Sequence, residues 1–351
     1  MNATAEPLPF PRASSVVLDS GLSGIVTPLE PSTEAVAREG VLEIPGEMAL
    51  YHGGRLRGVR LAWRWVGPAN APVICALGGI SANRQVCGWW SEIAGPHQAL
   101  DSHRYRVLSF DYLGACGDTT GPLPSQSFPS VSSYDQAELL ARLLNHLGVK
   151  TLRAIAGGSY GGMVALAFGE RYPERVARLI VLCAADRPHP LATAWRSVQR
   201  DIVRLAAESG RSAEGLRLAR ALAMSTHRSG EEFAARFAGP PTLESNRFLF
   251  PVERYLLARG GEFAARHRPE SFICLSESID LHRVDASRIF VPTTAVAVRE
   301  DQLVPVADVR GMVARLGAGR FHEISSIYGH DAFLKESQQL RGIFAAALET
   351  N

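Results

Sequence analysis

The sequence predicts an α/β protein with a mostly parallel, doubly wound sheet and an inserted helical segment. Short apolar runs alternate with stretches of helical periodicity over most of the chain, which is typical of strand–helix–strand units. The alternation stops near residue 187 and resumes near residue 289, and the interval shows only helical patterns. With 351 residues, 46% of them apolar, the chain can bury one large core.

The predicted elements follow an N-terminal arm, residues 1–40, in which prolines and small polar residues show no periodicity. Alternating apolar residues at 41–46 and 59–66 predict an antiparallel hairpin. Apolar runs predict strands at 73–77, 106–110, 152–156, 179–183, from 289, at 293–298 and at 321–324. Helical spacing predicts helices at 135–147, 163–171, 192–208, 215–224, 306–316 and 332–348. The predicted domains are a core of residues 41–186 and 289–351 and a lid of residues 187–288.

Charge and composition exclude several classes of protein. The net charge is +2 and both signs are spread along the chain, so the sequence lacks the clustered basic patch expected of a nucleic-acid-binding protein. No apolar run approaches the roughly 20 residues that span a bilayer, and no apolar signal segment opens the chain. A cytoplasmic location and no membrane partner are therefore expected. The five cysteines are scattered, without a C-x-x-C pair, and predict neither a disulfide framework nor a metal site.

The strongest local signal is G-G-S-Y-G at 157–161, a G-x-S-x-G motif between a predicted strand and a predicted helix. In this context the chain must turn sharply, and the serine is lifted above the strand ends as a nucleophile. Gly157 and Gly161 stand where larger side chains would collide with the turn. The motif predicts the α/β-hydrolase fold with Ser159 as its nucleophile.

A serine hydroxyl needs a general base and an orienting carboxylate, which follow it in the order acid, then histidine, in this fold. Asp301 follows the strand predicted at 293–298, and His330 follows the strand predicted at 321–324. We therefore predict a triad of Ser159, Asp301 and His330. Glu300 is the alternative acid, and either carboxylate is otherwise a solvated loop charge.

An oxyanion hole is predicted from two backbone N–H groups. One belongs to Tyr160, the residue after the nucleophile. The other belongs to Leu77 or Gly78, in the loop after the strand predicted at 73–77. The alternative reading of the glycines in this loop is a plain tight turn.

Several longer segments resemble the homoserine O-acyltransferase family of the MetX type. They are F-D-Y-L-G-A-C-G-D-T-T-G-P from Phe110, G-S-Y-G-G-M-V-A-L from Gly158, W-R-S-V-Q-R-D-I from Trp195, D-Q-L-V-P from Asp301 and G-H-D-A-F-L from Gly329. The resemblance extends over residues 45–345. It implies an acyl group carried on Ser159 from acetyl-CoA or succinyl-CoA to the hydroxyl of L-homoserine, by a ping-pong scheme in methionine biosynthesis.

The resemblance further implies that no cofactor is bound, that acyl-CoA is a co-substrate and that the protein is a homodimer formed through lid helices. It assigns Arg200 to the α-carboxylate of the amino acid, with a solvated helix charge as the alternative. Asp331 is assigned to the ammonium group, with a helix-capping carboxylate as the alternative.

Departures from the family pattern keep other acceptors and reactions open. Tyr160 follows the nucleophile where the family usually has methionine, and the loop from Leu77 differs from the usual Leu-Thr-Gly. L-Serine is one methylene shorter than homoserine, a difference of only about 1–3 kcal/mol in a pocket. The many arginines of the lid favour succinyl slightly over acetyl. An esterase and a non-catalytic binding protein of the same fold are the remaining alternatives.

Overall fold

An eight-stranded sheet forms the centre of the structure, a computed structural model that describes residues 36–124 and 126–349. Its strands in chain order are β1 (Ala37–Ala49), β2 (Arg55–Val66), β3 (Val73–Leu77), β4 (Arg106–Phe110), β5 (Ala154–Gly158), β6 (Leu179–Leu182), β7 (Thr293–Val298) and β8 (Gly319–Ile324). The order across the sheet is β1-β2-β4-β3-β5-β6-β7-β8. Strand β2 is antiparallel to β1 and β4, and all other neighbours are parallel. The predicted mostly parallel sheet is confirmed.

The helices lie between and after these strands. They are α1 (Val86–Trp89), α2 (Ser133–His146), α3 (Tyr160–Arg171), α4 (Pro190–Glu208), α5 (Ser212–His227), α6 (Gly230–Phe237), α7 (Pro251–Ala264), α8 (Pro269–Asp280), α9 (Val306–Val313), α10 (Ala332–Lys335) and α11 (Ser337–Glu349). Helices α4 to α8 all fall in the segment predicted as a lid. None of the described helices is both long and apolar enough to cross a bilayer.

Both faces of the sheet are covered, which explains the uninterrupted apolar runs. All residues of β3, β5, β6 and β7 are buried, as expected of parallel strands between two helical layers. Alternate residues point to opposite sides: Leu179 and Val181 pack in one hydrophobic cluster, whereas Ile180 and Leu182 pack in the other. The carboxyl ends of the parallel strands meet at one edge, and the loops after β5, β7 and β8 lie there.

Three element predictions were wrong. The segment from Ile289 is not a strand: the 3₁₀ helix Ala286–Arg288 precedes it, and Pro292 in this segment cannot donate to a ladder. The lid is not wholly helical, because Thr242–Glu244 and Arg247–Leu249 form a small hairpin. Its two turn residues have positive φ, a conformation that the S-N pair at 245–246 tolerates.

The third error concerns the last helix, which ends at Lys335 and begins again at Ser337. Between the two halves, Glu336 leaves the helical conformation and accepts a hydrogen bond from Ser326 Oγ at 2.7 Å. The predicted N-terminal arm lies outside the described residues except for residues 36–40. Of these, residues 37–40 belong to β1.

Candidate active site

The turn from β5 to α3 holds Ser159 in a conformation that L-residues rarely adopt, with φ 55° and ψ −122°. The glycines two residues away are sterically required. A Cβ on Gly157 would lie 2.2 Å from the carbonyl oxygen of Gly161, and a Cβ on Gly161 would lie 2.5 Å from the carbonyl oxygen of Leu77. Only glycine at these two positions is therefore compatible with the strained strand-to-helix turn.

The structure brings Ser159, His330 and Asp301 into one line of hydrogen bonds. His330 Nε2 lies 2.8 Å from Ser159 Oγ, and His330 Nδ1 lies 2.7 Å from Asp301 Oδ2. The other carboxylate oxygen of Asp301 accepts hydrogen bonds from the backbone N–H groups of Leu303 at 2.8 Å and Val304 at 3.0 Å. A carboxylate fixed in this way holds the imidazole so that its Nε2 faces the serine.

His330 is buried, and burial alone would disfavour its protonation. The negative charge of Asp301 and the hydrogen bond to it outweigh that effect, so the pKa of His330 is raised above its ordinary value. A base with this pKa accepts the serine proton readily and can return it to a leaving group. Glu300, the alternative acid, is directed away to Ser325 Oγ at 2.5 Å and the backbone N–H of Ser326 at 2.7 Å.

The first predicted oxyanion donor is Tyr160, the first residue of α3, whose N–H has no acceptor within its own helix. The next N–H, that of Gly161, is taken by the carbonyl of Gly78 at 2.9 Å. Leu77 and Gly78 are not among the residues that line the cavity around Ser159, whereas Gly79 and Ile80 are. The identity of the second donor stays a prediction, and Gly79 and Ile80 join its candidates.

The ring of Tyr160 links the nucleophile turn to the lid. It is fully buried, and its hydroxyl lies 2.5 Å from Ser278 Oγ on α8. The ring also packs edge-on against Tyr112, with centroids 5.0 Å apart, and the Tyr112 hydroxyl donates to the Gly78 carbonyl at 2.7 Å. These contacts connect α8, the nucleophile turn and the loop after β3.

Replacing Tyr160 with phenylalanine is expected to lower the free energy of unfolding by about 1 kcal/mol, because one buried hydrogen bond is lost. The backbone N–H of residue 160 is unchanged, so kcat should stay within a factor of a few of wild type. Denaturant unfolding and initial rates measure the two effects. Ser278→Ala is the matched variant. If the losses of unfolding free energy in the two single variants simply added in the Tyr160→Phe/Ser278→Ala double variant, the hydrogen bond between the two hydroxyls would be contradicted.

A cavity of 230 Å³ opens above Ser159 and His330. Its roof comes from the lid, since α4, α5 and α8 all contribute lining residues. Besides Ser159 and His330, the lining includes polar groups, which are Ser81, Arg196, Gln199, Arg220, Thr226, His227, Ser276 and Asp331. The reacting hydroxyl is thus covered by a mixed apolar and charged surface.

Asp331 lines this cavity and does not cap the following helix with its side chain. Its carboxylate accepts a hydrogen bond from Arg228 Nε at 2.8 Å and lies 3.4 Å from His227 Nδ1. Burial opposes its ionisation, but the neighbouring His227 and Arg228 outweigh burial and hold the pKa of Asp331 well below its usual range. The cavity therefore contains a fixed anion next to the base.

Arg200 is placed differently from the prediction. Its Nη1 donates to Asp280 Oδ2 at 2.6 Å and to Ser276 Oγ at 3.1 Å, and the residue is not among those that line the cavity. The reason is the carboxylate of Asp280, which draws in both Arg200 and Arg196, one helical turn apart on α4. Of the two, Arg196 is the one that reaches the cavity.

Sequence reasoning missed Arg220 and His227, two cavity residues that lie on the same face of α5, about two turns apart. Among the described residues, no carboxylate lies within ion-pair distance of Arg220, and its guanidinium lies over the Phe263 ring at 4.9 Å. The predicted helix at 215–224 includes Arg220, but nothing in its spacing distinguishes this arginine from the many others of the lid.

The arrangement suits nucleophilic acyl transfer through an ester of Ser159. The line of hydrogen bonds activates the hydroxyl, and the N–H of Tyr160 is the predicted donor to the oxygen on which negative charge develops. Asp331 and Arg220 supply one negative and one positive charge in the same cavity. That pair matches a small zwitterion better than an uncharged ester.

Comparisons with known proteins agree with this geometry. A family model described as the alpha/beta hydrolase fold matches residues 72–337. The chain is 40% identical over 325 residues to a homoserine O-succinyltransferase of Xanthomonas campestris pv. campestris, covering 90% of this chain and 85% of that protein. It is 38% identical over 283 residues to a homoserine O-acetyltransferase of Thermus thermophilus, covering 74% of this chain and 72% of that protein.

Solved structures show the same fold. A homoserine O-acetyltransferase from Bacillus anthracis matches with a TM-score of 0.81 at 20% identity, covering 91% of this chain and 98% of that one. Esterase E22 also matches with a TM-score of 0.81, at 19% identity, covering 90% of this chain and 100% of that one. A transferase and an esterase resemble the chain equally, so the fold by itself does not decide the reaction.

Proposed function

Because the chain belongs to the homoserine O-acyltransferase family within the α/β-hydrolase fold, we propose that it transfers an acyl group from acyl-CoA to the hydroxyl of L-homoserine. The observation that carries the proposal is the cavity, in which the line of Ser159, His330 and Asp301 shares one space with Asp331 and Arg220. An esterase needs only the three groups Ser159, His330 and Asp301. The charges of Asp331 and Arg220 favour an acceptor that carries both an ammonium and a carboxylate group, as an amino acid does.

In the first half-reaction His330 Nε2 takes the proton of Ser159, and the serine oxygen attacks the thioester carbonyl. The tetrahedral oxyanion accepts a hydrogen bond from the Tyr160 N–H and from a second donor in the loop after β3. The C–S bond then breaks as His330 gives its proton to the CoA sulfur. Asp301 stays ionised and stabilises the imidazolium throughout.

The second half-reaction reverses these steps with a new nucleophile. His330 Nε2 takes the proton of the amino-acid hydroxyl, whose oxygen attacks the ester on Ser159. The Ser159 oxygen leaves and recovers its proton from His330. The ammonium of the acceptor faces Asp331, and its α-carboxylate faces Arg220, so that its hydroxyl is held near the base. The lid above the cavity limits the access of water that would hydrolyse the acyl-serine.

Succinyl is proposed as the favoured acyl group. Arg196 and Arg200 share the single carboxylate of Asp280, so this cluster retains one net positive charge, and Arg196 presents it to the cavity. A buried positive charge suits the free carboxylate of a succinyl group and gains nothing from an acetyl group. The 40% identity to a homoserine O-succinyltransferase supports the same choice.

L-Serine is the alternative acceptor, because the charges at its α-carbon are those of homoserine and the chains differ by one methylene. Homoserine is favoured by the names of the relatives at 40% and 38% identity. The product places the reaction in methionine biosynthesis, and we propose a cytoplasmic enzyme. The pathway assignment depends on homoserine being the acceptor.

A homodimer through the lid is also proposed. Leu191, Val198 and Leu205 on α4 are exposed at seven-residue intervals, and Leu205 is 67% exposed. Such a stripe on one helix face is typical of a helix–helix contact between subunits. Sedimentation equilibrium measures the mass directly, and a monomer at micromolar concentration would contradict this part of the proposal.

The function is tested with a matrix of acetyl-CoA and succinyl-CoA against L-homoserine, L-serine and no acceptor. Free thiol is followed over time and products are identified by mass spectrometry. We expect succinyl-CoA with homoserine to give the highest kcat/KM and O-succinylhomoserine as the product. Thiol release at the same rate without an amino acid would identify an esterase instead.

Replacing Arg196 with glutamine tests the donor assignment. The remaining Arg200–Asp280 pair is electrically balanced, so the cavity loses its net positive charge at this position. We expect kcat/KM for succinyl-CoA to fall by about tenfold or more and that for acetyl-CoA to change little, since a hydrogen bond to a charged group contributes about 1.5–3 kcal/mol. Arg204→Gln, further along α4 and paired with Asp201, is the matched control. Equal losses for both donors would contradict a role in acyl selection.

A further inference from the structure

A second cavity of 580 Å³ adjoins the active site and is strongly basic. The two cavities share Arg220 in their walls. We call the second one the basic cavity; its charged lining residues are Arg220, Arg228, Arg236, Arg259, Arg266, Lys335, Glu232 and Glu262. Six cations therefore face two acids in one open space.

The two acids neutralise only part of this charge. Glu232 pairs with Arg228 at 2.8 Å and with Arg236 at 2.6 Å, and Arg228 pairs in addition with Asp331 of the active-site cavity at 2.8 Å. Glu262 pairs with Arg259 at 2.9 Å. Within residues 36–124 and 126–349, no carboxylate lies at ion-pair distance from the remaining cations, Arg220, Arg266 and Lys335.

These three cations differ in their exposure to solvent. Arg220 is half-buried at the shared wall, whereas Arg266 and Lys335 are exposed at the rim. Burial, and the repulsion of Arg266 and Arg228, lower the pKa of Arg220 despite the nearby charge of Asp331. Cations held together against their repulsion favour a ligand that carries several negative charges.

We propose that the basic cavity binds the phosphate groups of the CoA thioester, with Arg266 and Lys335 as their partners, and so directs the thioester past Arg220 to Ser159. This inference rests on the proposed acyl-CoA donor. The cavity of 580 Å³ is much larger than an amino acid requires, and the phosphates of CoA are its most highly charged part. The two cavities meet at Arg220, so an extended thioester arm would pass this residue on its way to Ser159.

A third cavity, of 410 Å³, is lined by the loop after β3, which also lines the active-site cavity. This third cavity is less suited to phosphates. Its Arg84 is paired with Asp111 at 2.5 Å and with Asp118 at 2.8 Å, and its other arginine, Arg266, also lines the basic cavity. Lys335 lines the basic cavity and not this one. Asp111 and Asp118 line the third cavity and would repel an anion. The charge balance therefore favours the basic cavity.

The test compares Lys335→Gln, Arg266→Gln and the double variant with wild type. Lys150→Gln is the matched control: Lys150 is the only other lysine of the chain, and it is exposed just before β5, at the opposite end of the sheet from the site. Each donor is used in two forms, the full CoA thioester and the N-acetylcysteamine thioester, which lacks phosphates.

We expect KM for the CoA thioester to rise about tenfold in each single variant and by more in the double variant, with kcat unchanged. KM for the short thioester should be the same in all proteins. Raising the salt concentration should reproduce the rise in wild type for the CoA thioester only. Calorimetric binding of CoA and dephospho-CoA to the same variants measures the phosphate contacts without turnover.

Two results would overturn the inference. An equal change for both thioesters would mean that the residues act on the reaction site, and unchanged KM and CoA affinity in the double variant would place the phosphates elsewhere. Failure of the proposed function has a different signature, which is a wild-type enzyme that cleaves the short thioester but neither binds CoA nor uses an amino acid.

Discussion

Replacement of Ser159 with alanine is expected to reduce kcat for acyl transfer by about a million-fold. The hydroxyl is the only atom that carries the acyl group in the proposed scheme, and His330 Nε2 lies 2.8 Å from it with no other nucleophile in its line of hydrogen bonds. The strained backbone at residue 159 accommodates alanine as well as serine, so the free energy of unfolding should change little. Initial rates and denaturant unfolding measure both.

The covalent intermediate provides a second measurement. Wild-type protein mixed with succinyl-CoA in the absence of an acceptor should gain the mass of one acyl group, located by peptide mapping at Ser159. The alanine variant should gain none, and Ser197→Ala, on the surface of α4, should behave as wild type. Acylation of the Ser159→Ala protein at the wild-type rate would show that another residue is the nucleophile.

The second large effect is expected for Asp301→Asn, with kcat reduced by about 10⁴-fold. The asparagine amide cannot both accept from His330 Nδ1 and supply a negative charge, so the imidazole loses its orientation and its stabilisation as a cation. Glu300→Gln is the matched control, because Glu300 is adjacent in the chain but bonded to Ser325 and Ser326. A larger loss in the glutamine variant would reverse the assignment of the acid.

The same variants test the pH dependence. The general base must be neutral, so kcat/KM of the wild type should rise with pH through the pKa of His330, which Asp301 raises above the ordinary value of 6.5. Without the charge of Asp301, burial is the main remaining influence, and it lowers the pKa. The acidic limb of the residual activity should therefore move to lower pH in Asp301→Asn and stay in place in Glu300→Gln.

We expect the lid to decide which donor and which acceptor this protein uses. The fold is common to an esterase and a transferase, which match the chain with equal TM-scores of 0.81. The cavity charges that we propose for the amino acid are those of Arg220 on a lid helix and Asp331 beside the base. The charge that we propose for the succinyl carboxylate is that of Arg196, on another lid helix. Substitutions there should change the choice of donor and acceptor, whereas substitutions at Ser159 or Asp301 should abolish both reactions.

The sequence by itself determined the sheet and the strand-to-helix turn that carries Ser159, because their signals are local. Buried parallel strands must be apolar throughout, and a strand-to-helix turn at Ser159 admits only glycine at residues 157 and 161, where a Cβ would meet a backbone oxygen within 2.5 Å. Asp301 and His330 could be predicted for a related reason: the fold places its acid and its base after late strands. The loop after β7 offers two carboxylates, Glu300 and Asp301, and the loop after β8 offers one histidine.

Only the tertiary structure decided which arginines line the cavity above Ser159 and what the Tyr160 ring contacts. Helical spacing predicts a helix face but not its neighbours, so Arg196, Arg200 and Arg220 are equivalent in the sequence. Asp280, which lies on another lid helix, draws Arg200 aside, whereas Arg220 remains without a carboxylate partner in the described part of the chain. Tyr160 likewise depends on Ser278, more than a hundred residues away. Such pairings form between distant segments, and they exist only once the chain has folded.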